Sequence, residues 1–171
     1  MTKPETPDVS TMQAEPLPQH HWLEQLLGEW SFEGSTQMQP GEPAMKFTGT
    51  ENVRSIGGLW FVAESSGEMP GGGTASMIMT LGYDPLKKRY VGTWLGSMMT
   101  YLWVYEGTLD SSGKRLVLDS EGPSMSTPGT LARSRDIIEI TDAGQRMQHS
   151  EVLGDDGQWH PMMAITYRKK T

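Results

Sequence analysis

The sequence predicts an all-β fold, a single antiparallel up-and-down β-barrel of about ten strands with a short N-terminal helix. Turn-forming groups of Asp, Gly, Pro and Ser recur along the chain, and the runs between them are short and rich in β-branched and aromatic residues. After residue 28 no segment shows the period of an amphipathic helix. Regularly spaced short strands are typical of a sandwich or a closed barrel, and the lack of an internal repeat argues against a propeller.

The N-terminal part of the chain differs from the rest. Residues 1–17 are polar and rich in Pro, which predicts a disordered tail, and the barrel domain is predicted over residues 18–171. Pro18 is a favourable first residue for a helix, and Gly28 is a favourable stop. The apolar residues along one side of this short helix are Trp22, Leu23, Leu26 and Leu27.

Turns of clear composition divide the remaining chain into strands. The four clearest lie at residues 84–87, 110–113, 141–144 and 154–157. The strands predicted before the third of these turns include 29–38, 45–56, 59–67, 75–83, 89–96, 101–109 and 114–120. Three more strands follow towards the C-terminus.

Composition narrows the function. The 171 residues correspond to one domain, and their formal net charge of −7, without clustered Lys and Arg, argues against nucleic acid or an anionic membrane as partner. No apolar run is long enough to span a membrane, and no apolar signal-peptide segment is recognisable, which predicts a cytoplasmic protein. The absence of Cys excludes disulfides and thiolate chemistry. The 13 Met residues fill either a core or an adaptable binding surface.

Hairpin geometry predicts which side chains face the barrel interior, since side chains alternate between the two faces of a strand. Expected neighbours are Met77 with Trp94, Trp94 with Trp103, and Tyr105 with Leu118. Three successive hairpins agree on one inward set: Met77, Met79, Leu81, Trp94, Tyr101, Trp103, Tyr105, Leu116 and Leu118. Interleaved glycines, namely Gly92, Gly96 and Gly107, favour a cavity beside these aromatic rings.

The last three strands predict a polar cluster on the same wall. Turns at 141–144 and 154–157 place Asp136 opposite His149, and Glu151 opposite His160. Buried charges must pair or shift their pKa values, so such a cluster indicates a site. It is compatible with a metal site, with an acid–base pair, with polar contacts that orient a ligand, or with a hydrogen-bonded plug.

The same register has a consequence for the outer surface. It sends an apolar stripe outward on the final strand, consisting of Trp159, Met163, Ile165 and Tyr167. An exposed stripe of this size predicts a homodimer. The alternatives are that the N-terminal helix covers the stripe, or that a β-bulge reverses the strand and turns these side chains inward.

Several motifs resemble known families. Gly28-Glu29-Trp30 together with Arg168 is similar to the calycin superfamily of lipocalins and fatty-acid-binding proteins, which implies that Trp30 lies at the closed barrel end beneath Arg168. A more specific series resembles an uncharacterised bacterial, calycin-like family of unknown function. Its segments are 82–85, 90–94, 96–100, 121–124, 153–157, 159–160 and 167–168. This resemblance implies a fold and no activity. Tyr101 departs from the family pattern, which has a His after the Met-Met-Thr, and this weakens a metal site there.

Three functions remain open. The first is a protein that binds a small apolar or aromatic molecule inside its barrel. The second is an enzyme on such a molecule, with His149 as acid or base positioned by Asp136 or Glu151. The third is a homodimeric interaction protein with a filled barrel. No cofactor is indicated by the sequence. The predicted ligand-binding residues are Met77, Met79, Trp94, Tyr101, Trp103, Tyr105, Asp136, His149, Glu151, His160 and Arg168.

Overall fold

Ten antiparallel strands close into one barrel in a computed structural model, which describes residues 13–37, 41–69 and 71–171. Helix α1 spans Pro18–Leu23 and continues as a 3₁₀ turn over Glu24–Leu26. The strands are β1 Gly28–Thr36, β2 Met45–Ile56, β3 Trp60–Glu68, β4 Thr74–Asp84, β5 Arg89–Gly96, β6 Trp103–Leu109, β7 Arg115–Pro123, β8 Leu131–Ile140, β9 Arg146–Leu153 and β10 Trp159–Lys169. Each strand pairs with the next, and β1 pairs with β10, so the predicted fold class is confirmed. Most of the predicted disordered tail lies outside the described residues, and its disorder stays a prediction.

The N-terminal helix covers one end of the barrel, which we call the floor. Leu23 and Leu26 are buried in the hydrophobic core, and Trp22 donates from its indole nitrogen to the carbonyl oxygen of Gly113 at 2.7 Å. The Tyr90 hydroxyl donates to the backbone oxygen of Gln19 at 3.0 Å, and burial raises the pKa of Tyr90 to about 12. The opposite end of the barrel, which carries the β5–β6 and β9–β10 loops, is called the mouth. No helix in the described part of the chain is long and apolar enough to cross a membrane.

The central hairpins have the predicted inward face but a different pairing. Trp94 pairs with Trp103 as expected. Met79, however, lies opposite Trp94 where Met77 was expected, and Gly107 lies opposite Leu118 where Tyr105 was expected. Both pairings are displaced by two residues. Because side chains alternate with period two, a displacement of two leaves every side chain on its predicted face.

The β8–β9 pairing corrects the sequence prediction. Asp136 lies opposite Ser150, where His149 was expected, so the displacement is one residue. The turn explains the difference, because Thr141 donates its backbone N–H to the oxygen of Gln145 at 2.9 Å and only three residues form the loop. Gly144 supplies the positive φ, +76°, that such a loop requires. A one-residue displacement exchanges the two faces of β9.

Strand β10 contains a β-bulge, one of the alternatives to an exposed apolar stripe on the final strand. Its pairing with β9 shifts between Pro161 and Met163, where a Pro cannot donate to the sheet. Beyond the bulge, Ile165 and Tyr167 face inward and are 7% and 5% exposed. Met163 packs against the core, and Trp159 lies outside beneath Arg135. The apolar stripe on which the homodimer prediction depended therefore does not exist.

Candidate functional site

The inner wall of the barrel is buried near the floor and accessible near the mouth. The buried inward residues include Trp30, Val53, Phe61, Leu81, Tyr90, Leu116 and Ile138. The inward residues closer to the mouth are only partly buried: Phe47, Met77, Trp94, Trp103, Ser120, Ser134, Val152 and Met163. These inward-facing side chains therefore keep part of their surface accessible to solvent. We call the space that this second set surrounds the cup.

A band of polar side chains crosses the barrel between the packed floor and the cup. This polar belt consists of Glu51, Ser65, Tyr105, Asp136, Arg146, Gln148, Ser150 and Tyr167. Most of these side chains are buried, and hydrogen bonds or ion pairs join them in groups. Such bonding is what a polar group needs inside an apolar core.

Asp136 is the centre of the first group. Its carboxylate accepts hydrogen bonds from the hydroxyls of Tyr105 and Ser150, the second at 2.5 Å. Burial raises the pKa of Asp136, and the two hydrogen bonds partly oppose that rise. The pKa of Tyr105 is also raised, because the phenol is buried and lies beside this carboxylate. Tyr105 is therefore a neutral hydrogen-bond donor.

Arg146 and Glu51 form the second group, a buried ion pair. Their side chains are 1% and 5% exposed, and the Ser65 hydroxyl also donates to Glu51, at 2.9 Å. The guanidinium lies 3.9 Å from the centre of the Tyr167 ring and 5.3 Å from that of Trp30. Within the described residues its Nε has no hydrogen-bond partner. Stacking on two rings lets this cation remain in the core.

These contacts correct the prediction that Trp30 lies beneath Arg168. Arg168 lies on the outer wall, where it is paired with Glu33 at 3.2 Å and largely exposed. Arg146 occupies the place beside Trp30 instead. Arg168 belongs to the outward face of β10 because Tyr167, its neighbour, points inward.

The structure brings together part of the predicted ligand-binding set. Met77, Met79, Trp94, Trp103, Tyr105 and Asp136 share the inner wall. Tyr101 lies at the rim, where its hydroxyl donates to the backbone oxygen of Glu121 at 2.9 Å and its ring contacts Trp103. Their role in ligand binding stays a prediction.

His149 and Glu151 do not join this wall. His149 and Glu151 lie on the outer face of β9, where they line a groove of about 320 Å³ beside the β10 bulge, and Glu151 is paired with Arg135 at 2.6 Å. His160 lies opposite Val152 and so faces inward as predicted, but at the exposed rim of the mouth, where it is bonded to Asp156 at 2.8 Å. The predicted cluster of Asp136, His149, Glu151 and His160 on one inner wall is therefore not formed. No group of three metal-ligating side chains occurs in the described ranges.

The glycines that favoured a cavity have another role. A Cβ atom at position 107 would lie 2.9 Å from the Leu118 side chain, and one at position 92 would lie 3.0 Å from that of Leu81. At position 96 it would lie 2.5 Å from the sulfur of Met98. Neighbouring side chains therefore fill the space beside these glycines.

Sequence reasoning did not find Glu51, Arg146, Gln148, Ser150 or Tyr167. One signal was available, because Glu51 alternates with the inward Gly49 and Val53 on β2. A carboxylate on an otherwise apolar face indicates a buried partner. Its partner lies 95 residues away on β9, and local spacing does not reveal a contact of that range.

Trp103 also closes a break in the barrel wall. Strands β6 and β7 pair from Glu106–Asp119 to Leu109–Leu116, whereas β7 continues to Pro123. The Trp103 ring packs over Gly122, where a Cβ atom would lie 2.2 Å from the ring. Side chains thus cover the backbone at the point where the strand pairing stops.

Replacing Gly122 with Val should displace the Trp103 ring. We expect a loss of the near-ultraviolet circular dichroism of the Trp residues and a destabilisation of about 1–3 kcal/mol, the usual cost of overpacking. Ser120→Val is the matched control, since position 120 is the next inward and partly accessible residue of β7. An unchanged near-ultraviolet spectrum for Gly122→Val would contradict the contact between Trp103 and Gly122.

The class of fold that the structure defines is a closed barrel of ten antiparallel strands with a short helix at one end. The chain belongs to the family described as protein of unknown function (DUF1579), whose model matches residues 15–169. Rv2717c from M. tuberculosis has a similar structure, with a TM-score of 0.63 and 12% identity, over 92% of this chain and 100% of that one. The S-type phycobiliprotein lyase CPES from Guillardia theta is also similar, with a TM-score of 0.56 and 15% identity, over 91% and 94% of the two chains. No curated protein matches this chain.

Proposed function

We propose that this protein binds a small apolar or aromatic molecule in the cup. The observation that carries the proposal is the accessibility of inward-facing side chains at the mouth end of the barrel. Trp94 and Trp103 form a cross-strand pair there, and neither is fully buried. Apolar walls with a few polar groups at the base are the usual plan of a small-molecule site.

The two halves of the site suit different parts of a ligand. Flat rings or alkyl chains fit against Trp94, Trp103 and Met77, and the unbranched Met side chain adapts to shape. The polar belt offers a polar ligand atom the Asp136 carboxylate at the base of the cup. A barrel filled to its mouth by its own side chains would bury these residues, which disfavours a purely structural role.

Small molecules are favoured over macromolecules as partners. The net charge of −7 disfavours nucleic acid and anionic membrane, because both attract clusters of basic residues. A cytoplasmic location stays a prediction. One of the similar barrels is named a phycobiliprotein lyase. That likeness concerns the fold, and the proposal depends on the cup.

Titration with the neutral apolar dye Nile red tests this function. We expect saturable fluorescence enhancement with wild type, and a loss of affinity of at least about tenfold for Ser134→Trp, which places a ring in the cup. Arg133→Trp is the matched control, because position 133 is the preceding residue and lies exposed on the outer wall. Absence of saturable binding by wild type, or equal binding by both variants, would refute a site in the cup.

A further inference from the structure

One of the two carboxylates that face the barrel interior, Asp136, has no ion-pair partner among the described residues. Among the described residues, the charged groups on the inward face of the wall are Glu51, Asp136 and Arg146, with Lys169 at the floor end and the titratable His160 at the rim of the mouth. Glu51 and Arg146 are paired with each other and buried. Asp136 therefore has no cation of its own. The remaining candidates lie elsewhere: Lys169 lies beside Trp30 at the floor, and His160 is bonded to Asp156 at the rim. Arg135 is paired with Glu151 outside the barrel.

The Asp136 carboxylate also has unused hydrogen-bonding capacity. One oxygen accepts from Tyr105 and the other from Ser150. A carboxylate offers about four acceptor positions, so about two remain. Tyr105 and Ser150 are each 3% exposed, whereas Asp136 is only partly buried. Because its side chain faces inward, that remaining exposure is towards the cup.

A lone carboxylate in an apolar enclosure discriminates between ligand head groups. A carboxylate loses electrostatic stabilisation when it leaves water, and a cation beside it restores that stabilisation. An anion beside it is repelled. The aromatic rings of the wall, Trp94 and Trp103, favour a cation in the same way through their negative ring faces. At the base of the cup a ligand carboxylate finds no unpaired cation among the described residues, since Arg146 is already paired with Glu51 and Lys169 lies at the floor.

We propose that the cup takes apolar amines, with an aromatic or aliphatic body against Trp94 and Trp103 and the ammonium group on Asp136. This inference, which rests on the proposed function, names the class of molecule that the same site selects. It distinguishes the barrel from one built for fatty acids, which needs an unpaired basic residue at its base.

Three naphthalenes of matched shape test the selectivity: naphthylmethylamine, naphthylmethanol and naphthoate, each titrated into the full chain by calorimetry. We expect the amine to bind about tenfold or more tightly than the alcohol and the carboxylate to bind most weakly. Asp136→Asn should remove most of the amine preference while the affinity for the alcohol changes less than about twofold. Asp119→Asn is the control, because it makes the same change in net charge on the exposed outer face of β7.

The outcomes separate this inference from the function on which it rests. Equal affinity of wild type for the three naphthalenes, or an amine preference that survives in Asp136→Asn, would overturn the amine selectivity while ligand binding stood. Nile red binding without any binding of the amine would overturn it as well. Loss of both Nile red and amine binding would remove the cup as a site altogether. The comparison of the three ligands on wild type decides the question even if Asp136→Asn fails to fold.

Discussion

Replacing Arg146 with Met is expected to destabilise the protein by about 3–5 kcal/mol, as removal of one partner from a buried ion pair does. Among the described residues, the change leaves the Glu51 carboxylate in the core with the Ser65 hydroxyl as its remaining hydrogen-bond donor. It also removes the guanidinium from the faces of Tyr167 and Trp30. Urea unfolding followed by far-ultraviolet circular dichroism measures the loss. A double variant, Arg146→Met with Glu51→Gln, should recover part of it, because no unpaired charge remains.

Arg168→Met is the control for this experiment. Arg168 forms an ion pair on the outer wall with Glu33, and the two side chains are 71% and 63% exposed. An exposed pair of this kind contributes about 0–1 kcal/mol. The comparison asks which arginine belongs to the closed end of the barrel. If Arg168→Met cost as much as Arg146→Met, the faces assigned to β9 and β10 would be interchanged.

The barrel itself could be predicted from the sequence, because an error of two residues in the pairing of a hairpin does not change which side chains face inward. Asp84 pairs with Arg89, so the β4–β5 turn lies one residue later than its composition indicates. The pairing then shifts by two, and the inward face is unchanged. The predicted inward residues Leu81, Tyr105 and Leu118 are all buried. Composition thus identified the wall, although it misplaced the individual neighbours.

The polar half of the site could not be predicted, because the inward faces of β9 and β10 depend on whether each of two loops has three or four residues. The segments 141–144 and 154–157 have the composition of four-residue turns, yet backbone bonds from Thr141 to Gln145 and from Gly154 to Gln158 close loops of three. Each one-residue error exchanged the faces of a strand. His149 was thereby placed inside, and Arg146 outside. Only the paired structure, including the bulge at Pro161, resolves these faces.

Trp30 supplies the second large expected effect, since it lies at the centre of the closed end. It is 4% exposed, it donates from its indole nitrogen to the backbone oxygen of Leu26 at 2.8 Å, and its ring stands perpendicular to that of Tyr167. Trp30→Ala should therefore destabilise the protein by about 3–5 kcal/mol, as large-to-small changes in cores do. Chemical unfolding monitored by circular dichroism provides the measurement.

Two further variants divide that loss into its causes. Trp30→Phe keeps an aromatic ring but leaves the Leu26 oxygen without its donor, and we expect a cost of about 1–3 kcal/mol. Trp60→Ala removes an indole of the same size from the outer wall, where Trp60 is 46% exposed, and should cost clearly less than Trp30→Ala because less apolar surface returns to water. If Trp30→Ala were no more destabilising than Trp60→Ala, Trp30 would not hold the floor of the barrel together. In that case the packing of Arg146 between Trp30 and Tyr167 would need to be reassigned.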